Sequence, residues 1–201
     1  VIDRSLPQSA EELPADYALQ NPADYISAVK ALLKDITNNA GVSPEDIISI
    51  GIDFTACTVL PVDKNYKPLC MNPRFRKNPH SWVKLWKHHG AQAEADEINE
   101  TARRRGEIFL DYYGGSSSSE WFFAKAMEVY HKAPEIYEAT ELFVEAGDWV
   151  IWALTGEMTT STCMAGYKAF WNHETGYPKN DFFAGMEPGL SGITEKVISD
   201  V

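Results

Sequence analysis

Asp53, Phe54, Thr55, Ala56 and Cys57 follow directly on an apolar run made by Ile47, Ile48, Ile50 and Ile52. Such a run suits a strand buried on both faces of a sheet. Small and polar residues at the end of a buried strand are where α/β proteins hold ligands. An ordinary loop between two core strands would use the same residues, and both readings stay open at this level. Lys168 lies between aromatic neighbours in Tyr167-Lys168-Ala169-Phe170-Trp171. A lysine so placed either snorkels to water or aims a donor at a polyol in a pocket. His88 and His89 are adjacent. On the helix expected there they point about 100° apart, which suits joint metal binding poorly. Cys57, Cys70 and Cys163 are odd in number and widely spaced. No C-x-x-C pair exists, so neither a zinc site nor a disulfide framework is indicated, and reduced thiols in a cytoplasmic protein are the simplest account.

The elements that must position these residues follow from patterning. Asn21-Pro22 opens a helix with a good cap and a good first residue. Tyr25, Ile26, Val29, Leu32, Leu33 and Ile36 share one of its faces, and Gly41 closes it. Ser43 to Asp46 resembles a capping box ahead of a first strand over 47–52. A second strand spans 58–62, turns at Asp63-Lys64-Asn65 and continues as a hairpin towards Leu69-Cys70-Met71. Asn78-Pro79 is expected to open a helix carrying Trp82, Trp86 and His89 on one face. Glu94 to Arg105 is charged enough for a solvated helix face. Gly114-Gly115 and Ser116 to Ser119 form either a flexible linker or a binding loop ahead of a helix from Glu120 to His131. Pro134 to Tyr137 and Glu141 to Leu154 predict two more helices, the second stopped at Thr155-Gly156. The segment 167–171 looks strand-like, and Thr194 to Ile198 is the last periodic stretch.

The composition is globular, with 44% hydrophobic residues and 12% aromatic ones in a chain of 201 residues, enough for one domain. Aromatic faces pack cores and also stack on sugar C–H faces, with core packing the default. The net charge of −11 argues against a nucleic-acid or anionic-membrane surface. No stretch looks like a membrane span or a signal peptide.

Five blocks together resemble the amino-terminal domain of the FGGY carbohydrate kinases. They are Gly51-Ile52-Asp53-Phe54-Thr55-Ala56-Cys57-Thr58 with Leu60-Pro61-Val62-Asp63, Asn78 to His89, Tyr113-Gly114-Gly115 with Ser118-Ser119-Glu120-Trp121, Ala146 to Val150 with Leu154-Thr155-Gly156, and Ala165 to Trp171. Lys84 to His89 and Gly166 to Ala169 look particular to the ribulokinase branch. The resemblance spans residues 1–201. It implies an α/β fold of the ribonuclease-H-like, actin-like ATPase type, a mixed sheet with helices on both faces, incomplete in this stretch. It implies transfer of the ATP γ-phosphate to a ketopentose hydroxyl, L-ribulose giving L-ribulose 5-phosphate in arabinose catabolism. The sugar would meet Thr55, Ala56 and Cys57, with Glu120 and Lys168 as further contacts. No catalytic residue is expected here: the family's general base would follow Val201, and its phosphate-cradling hairpin would precede Val1. Asp53 matches the sugar loop and not the base. ATP and Mg²⁺ would be bound mainly outside these residues, and this part alone would be inactive. The implied partners are a sugar and ATP, with a homo-oligomer left open.

A non-catalytic sugar-binding module with the same fold is the alternative. A glycoside hydrolase would need two carboxylates facing across a sugar, and no such pair can be placed. Absent central strands would leave an apolar sheet edge, from which self-association is expected.

Overall fold

A computed structural model describes every residue except Gln8. In chain order the elements are β1 (Leu19–Gln20), α1 (Pro22–Asn39), β2 (Val59–Val62), β3 (Val83–Lys84), α2 (Gln92–Arg105), α3 (Phe122–Lys132), α4 (Pro134–Ala139), β4 (Leu142–Glu145), α5 (Ala146–Thr155), α6 (Thr162–Lys168) and α7 (Asn180–Ala184). The strands form one sheet in the order β1-β3-β2-β4. Every pairing in it is antiparallel, so the mixed sheet expected from the resemblance shows only antiparallel neighbours among the described residues.

Alternation along the strands sorts side chains to two faces. Val59 and Phe143 join one cluster with Ile98 of α2, Phe123 and Met127 of α3, and Ile136 of α4. Leu60, Val62 and Val144 join the other with Trp149 and Val150 of α5 and, from α1, Tyr25, Ile26 and Val29. Helices therefore cover both faces. Burying each large side chain such as Phe123 contributes on the order of 2–3 kcal/mol, which anchors α3 to the sheet.

The Asn21 side chain caps α1 by accepting from the Ala23 N–H at 3.2 Å, as the Asn-Pro pair predicts. Gly147 opens α5 where a Cβ would come within 2.9 Å of the Phe54 Cβ, so glycine lets the 47–54 segment lie against that helix.

Several elements differ from the sequence reading. Residues 47–52 form no strand, and Ile48 is 95% exposed. A strand needs neighbours for its N–H and C=O groups. Both edges of β2 are taken by β3 and β4, so among the described residues nothing pairs with the run. The expected helix from Asn78 is a short 3-10 turn, Pro79–Ser81, followed by β3, because sheet pairing on both sides of residues 83–84 overrides the helical spacing. Leu69–Met71 is also a 3-10 turn, not the return strand of a hairpin. Ser43 makes no capping hydrogen bond. Leu142–Glu145 is a strand and the helix begins only at Ala146. The strand-like 167–171 is the end of α6 and a turn, with Phe170 at φ 62°. Ser117 and Ser119 are buried, and Asn99 ties residue 117 through a 2.6 Å and a 3.0 Å bond. The serine run is therefore a packed loop, and α3 starts after it at Phe122.

Leu32, Ile36, Ile48, Ile50 and Leu154 remain exposed around the open side of α1 and α5. The isolated 201-residue chain is expected to self-associate through this patch. Replacing Ile48 and Ile50 together by Lys should give a monomer in light scattering at high concentration. Unfolding free energy should move by less than about 0.5 kcal/mol per site, as for exposed positions. Association that persists in this variant would place the contact elsewhere.

Candidate functional site

Thr55 to Thr58 form a tight turn between the 47–54 segment and β2, closed by the Thr58 hydroxyl donating to the Thr55 carbonyl at 2.7 Å. Thr55 is exposed, Ala56 half-buried and Cys57 buried. Cys57 sits at φ 66°. That left-handed conformation normally calls for Gly or Asn and costs a cysteine roughly 1–2 kcal/mol. Burial pushes its thiol pKa far up, with the nearby Glu145 carboxyl adding to this. It is a packed thiol, not a nucleophile.

Two buried side chains hold the turn. Glu145, the last residue of β4, accepts the Cys57 N–H at 2.8 Å and the Thr58 N–H at 3.1 Å, one on each oxygen. Lys125 of α3 donates to the carbonyls of Cys57 at 2.6 Å, Leu85 at 2.8 Å and Trp86 at 3.2 Å. Burial raises the Glu145 pKa to about 8 and lowers that of Lys125 to about 8.

The sheet register explains why these groups meet. Val59 pairs with both Lys84 and Glu145. Directly opposed residues share a face, so Lys84 and Glu145 flank Val59 beneath α3. Lys125 and Glu128 are three apart on α3 and so project together, presenting the opposite charges. Glu128 binds Lys84 Nζ at 2.7 Å and His88 Nε2 at 2.8 Å. Lys132 closes the other carboxylate oxygen at 3.1 Å. His80 completes the group, its Nδ1 at 3.0 Å from Lys84 Nζ and its Nε2 at 3.1 Å from the Tyr17 hydroxyl. Burial opposes the Glu128 charge, but Lys84 and His88 outweigh it and hold the carboxyl well below its usual range. Burial and the Lys84 charge hold His80 neutral down to about 3 and His88 to about 4.

Lys168 ends α6, half-buried, with its ammonium 5.2 Å from the Tyr167 ring centre. Its charge offsets a small part of the upward push that burial gives the Cys57 thiol. The Tyr113 hydroxyl steadies α6 by donating to the Gly166 carbonyl at 2.7 Å. Glu120 precedes α3, donates its backbone N–H to Ser118 Oγ at 3.3 Å, and pairs through its carboxylate with His89 Nε2 at 2.8 Å. Its charge reaches Lys125. Of the expected site residues, Cys57 is tied to Lys125 and Glu120 to His89, and among the described residues no hydrogen bond joins Lys168 to either. His88 turns inward and His89 outward, to different carboxylates. The sequence reading missed Lys84, Lys125, Glu128 and Glu145. Their signal was a charge at interior positions of an otherwise apolar strand or helix, as in Phe122-Phe123-Ala124-Lys125-Ala126-Met127-Glu128.

A family model described as the FGGY family of carbohydrate kinases, N-terminal domain, matches residues 3–186. The chain belongs to the FGGY family of carbohydrate kinases. It is 51% identical over 195 residues to a ribulokinase of Geobacillus thermodenitrificans, covering 97% of this chain and 35% of that protein. It is 49% identical over 202 residues to a ribulokinase of Bacillus licheniformis, covering 100% of this chain and 37% of that protein. Among solved structures, a xylulose kinase from Lactobacillus acidophilus superposes with a TM-score of 0.68 at 16% identity, covering 95% of this chain and 35% of the other. A gluconate kinase from the same organism gives the same values. These structures share the actin-like fold. The chain spans little more than a third of the length of the FGGY relatives it matches.

Two outcomes follow from the buried charges. Glu128→Ala should cost roughly 3–5 kcal/mol by stranding the Lys84 ammonium. The double variant Lys84→Met/Glu128→Leu should cost less than the sum of the singles in a chemical-denaturation cycle; additive costs would mean the pair is not coupled. The second concerns pH. His80 and His88 stay neutral in the fold, whereas in the unfolded chain they protonate below about 6.5. Each therefore removes stability as pH falls from about 6.5 towards 4, at up to about 1.4 kcal/mol per pH unit. The stability advantage of the native chain over His88→Gln should shrink across that window, and a difference that ignores pH would show that His88 is not held neutral.

Proposed function

We propose that residues 1–201 are the sugar-binding part of the amino-terminal domain of an ATP-dependent ketopentose kinase that converts L-ribulose to L-ribulose 5-phosphate in the cytoplasm. The observation that carries this reading is the Thr55–Thr58 turn. It is strained and clamped from inside, in a chain about half identical to ribulokinases over its length. Thr55 and Ala56 line the sugar while the buried Cys57 fixes the turn behind them, and the small Ala56 leaves room for a pentulose carried close to the backbone. Lys168 donates to a sugar hydroxyl. Glu120 approaches from the start of α3 with its orientation set by His89.

Phosphoryl transfer needs the acceptor hydroxyl held in place, a carboxylate to take its proton, and exclusion of water. The described residues serve the first requirement. Hydrogen bonds to sugar hydroxyls discriminate because a missing hydroxyl leaves a buried partner unpaired. Mg²⁺ and ATP are assigned to chain outside these residues, as is the general base, and this part alone is inactive.

The test is ATP-dependent phosphorylation of L-ribulose by the full-length polypeptide, with Lys168→Ala beside it. The variant should lose roughly 1–3 kcal/mol in kcat/KM, expressed as a higher KM for the sugar. An unchanged kcat/KM would remove Lys168 from the site. Sugar binding without phosphorylation would favour a non-catalytic sugar-binding module.

A further inference from the structure

The Thr55–Thr58 turn adopts a conformation its own sequence disfavours. Cys57 has a Cβ at φ 66°, and residues kept in such conformations persist only when their surroundings over-determine them. The surroundings here are two side chains from separate elements. Glu145 grips the two N–H groups of Cys57 and Thr58. Lys125 grips the Cys57 carbonyl and ties it to the carbonyls of Leu85 and Trp86. The N–H of Cys57 is thus held by a buried carboxyl and its carbonyl by a buried ammonium. All three ammonium donors of Lys125 and both oxygens of Glu145 are engaged with backbone. Lys125 is fully buried and Glu145 nearly so, which leaves neither free to touch a ligand.

We propose that Lys125 and Glu145 are positioning residues that clamp the strained Thr55–Thr58 turn so that Thr55 and Ala56 are presented to the ketopentose. The proposal rests on the kinase reading given above. It assigns both residues to sugar affinity exerted through the turn, with no part in proton or phosphoryl transfer.

The experiment uses the full-length protein, L-ribulose and ATP. The unaltered protein is assayed first: no phosphorylation there would refute the kinase reading itself. With activity in hand, Glu145→Gln and Lys125→Met are each expected to raise KM for L-ribulose about tenfold or more, the effect of losing hydrogen bonds to a charged group. KM for ATP should change less than about twofold, since uniform loss of one substrate's binding leaves the other's alone. Adding Cys57→Gly to each variant should recover much of the sugar affinity, because glycine adopts the left-handed conformation without strain. A merely structural role would move both KM values and the melting temperature together and show no such rescue. Unchanged sugar KM in the folded variants would overturn the proposal, as would a fall in kcat alone or a failure of Cys57→Gly to restore binding. Where a single variant loses its cooperative melt, the same substitution decides the matter: a restored melt upholds the clamp, and a melt that stays lost overturns it.

Discussion

Charge compensation under α3 is the constraint on which the rest of this structure depends. The sheet presents Lys84 and Glu145 on either side of Val59; Glu128 of the helix answers Lys84 in a direct ion pair, and Lys125 meets Glu145 only across the Cys57–Thr58 peptide. An unpaired buried charge is costly enough to unfold a marginal domain, so α3 has one acceptable register over the sheet. Apolar packing of Phe123 and Met127 supplies the adhesion, but such contacts tolerate sliding. The charged groups do not.

That register has a functional consequence. With α3 fixed, Lys125 lands on the Cys57 carbonyl and the start of α3 places Glu120 beside His89. The turn that follows the 47–54 segment is then shaped by elements far away in sequence: α3, the end of β4 and the residues just after β3. A turn left to move freely would have to be ordered by any ligand it met, at a cost in affinity. Here that ordering is already done by the fold. The same arrangement keeps His80 and His88 neutral and dry between Tyr17, Lys84 and Glu128, which converts a pair of ordinary histidines into part of the core.

The open side of the molecule has the opposite character. Apolar residues of α1, α5 and the 47–52 run face outward with no ladder to complete them. The chain spans little more than a third of its relatives' length.

The sequence by itself determined the family, the first helix with its Asn21 cap, the turn after β2, and the turn at Thr55 to Cys57 as a point of chemical interest. These depend on local composition and short motifs, which act within a few residues. The tertiary structure decided the rest. Residues 83–84 and 142–145 carry helix-like or continuous apolar patterns and became strands because β2 offered partners on both edges. Residues 47–52 carry a strand pattern and found no partner. Lys125 and Glu145 were two charges among 47 until the strand register and the α3 face set them against the same peptide. Periodicity reports which face a residue occupies, not what lies opposite, and opposition across a sheet–helix interface is what turned these two side chains into a clamp.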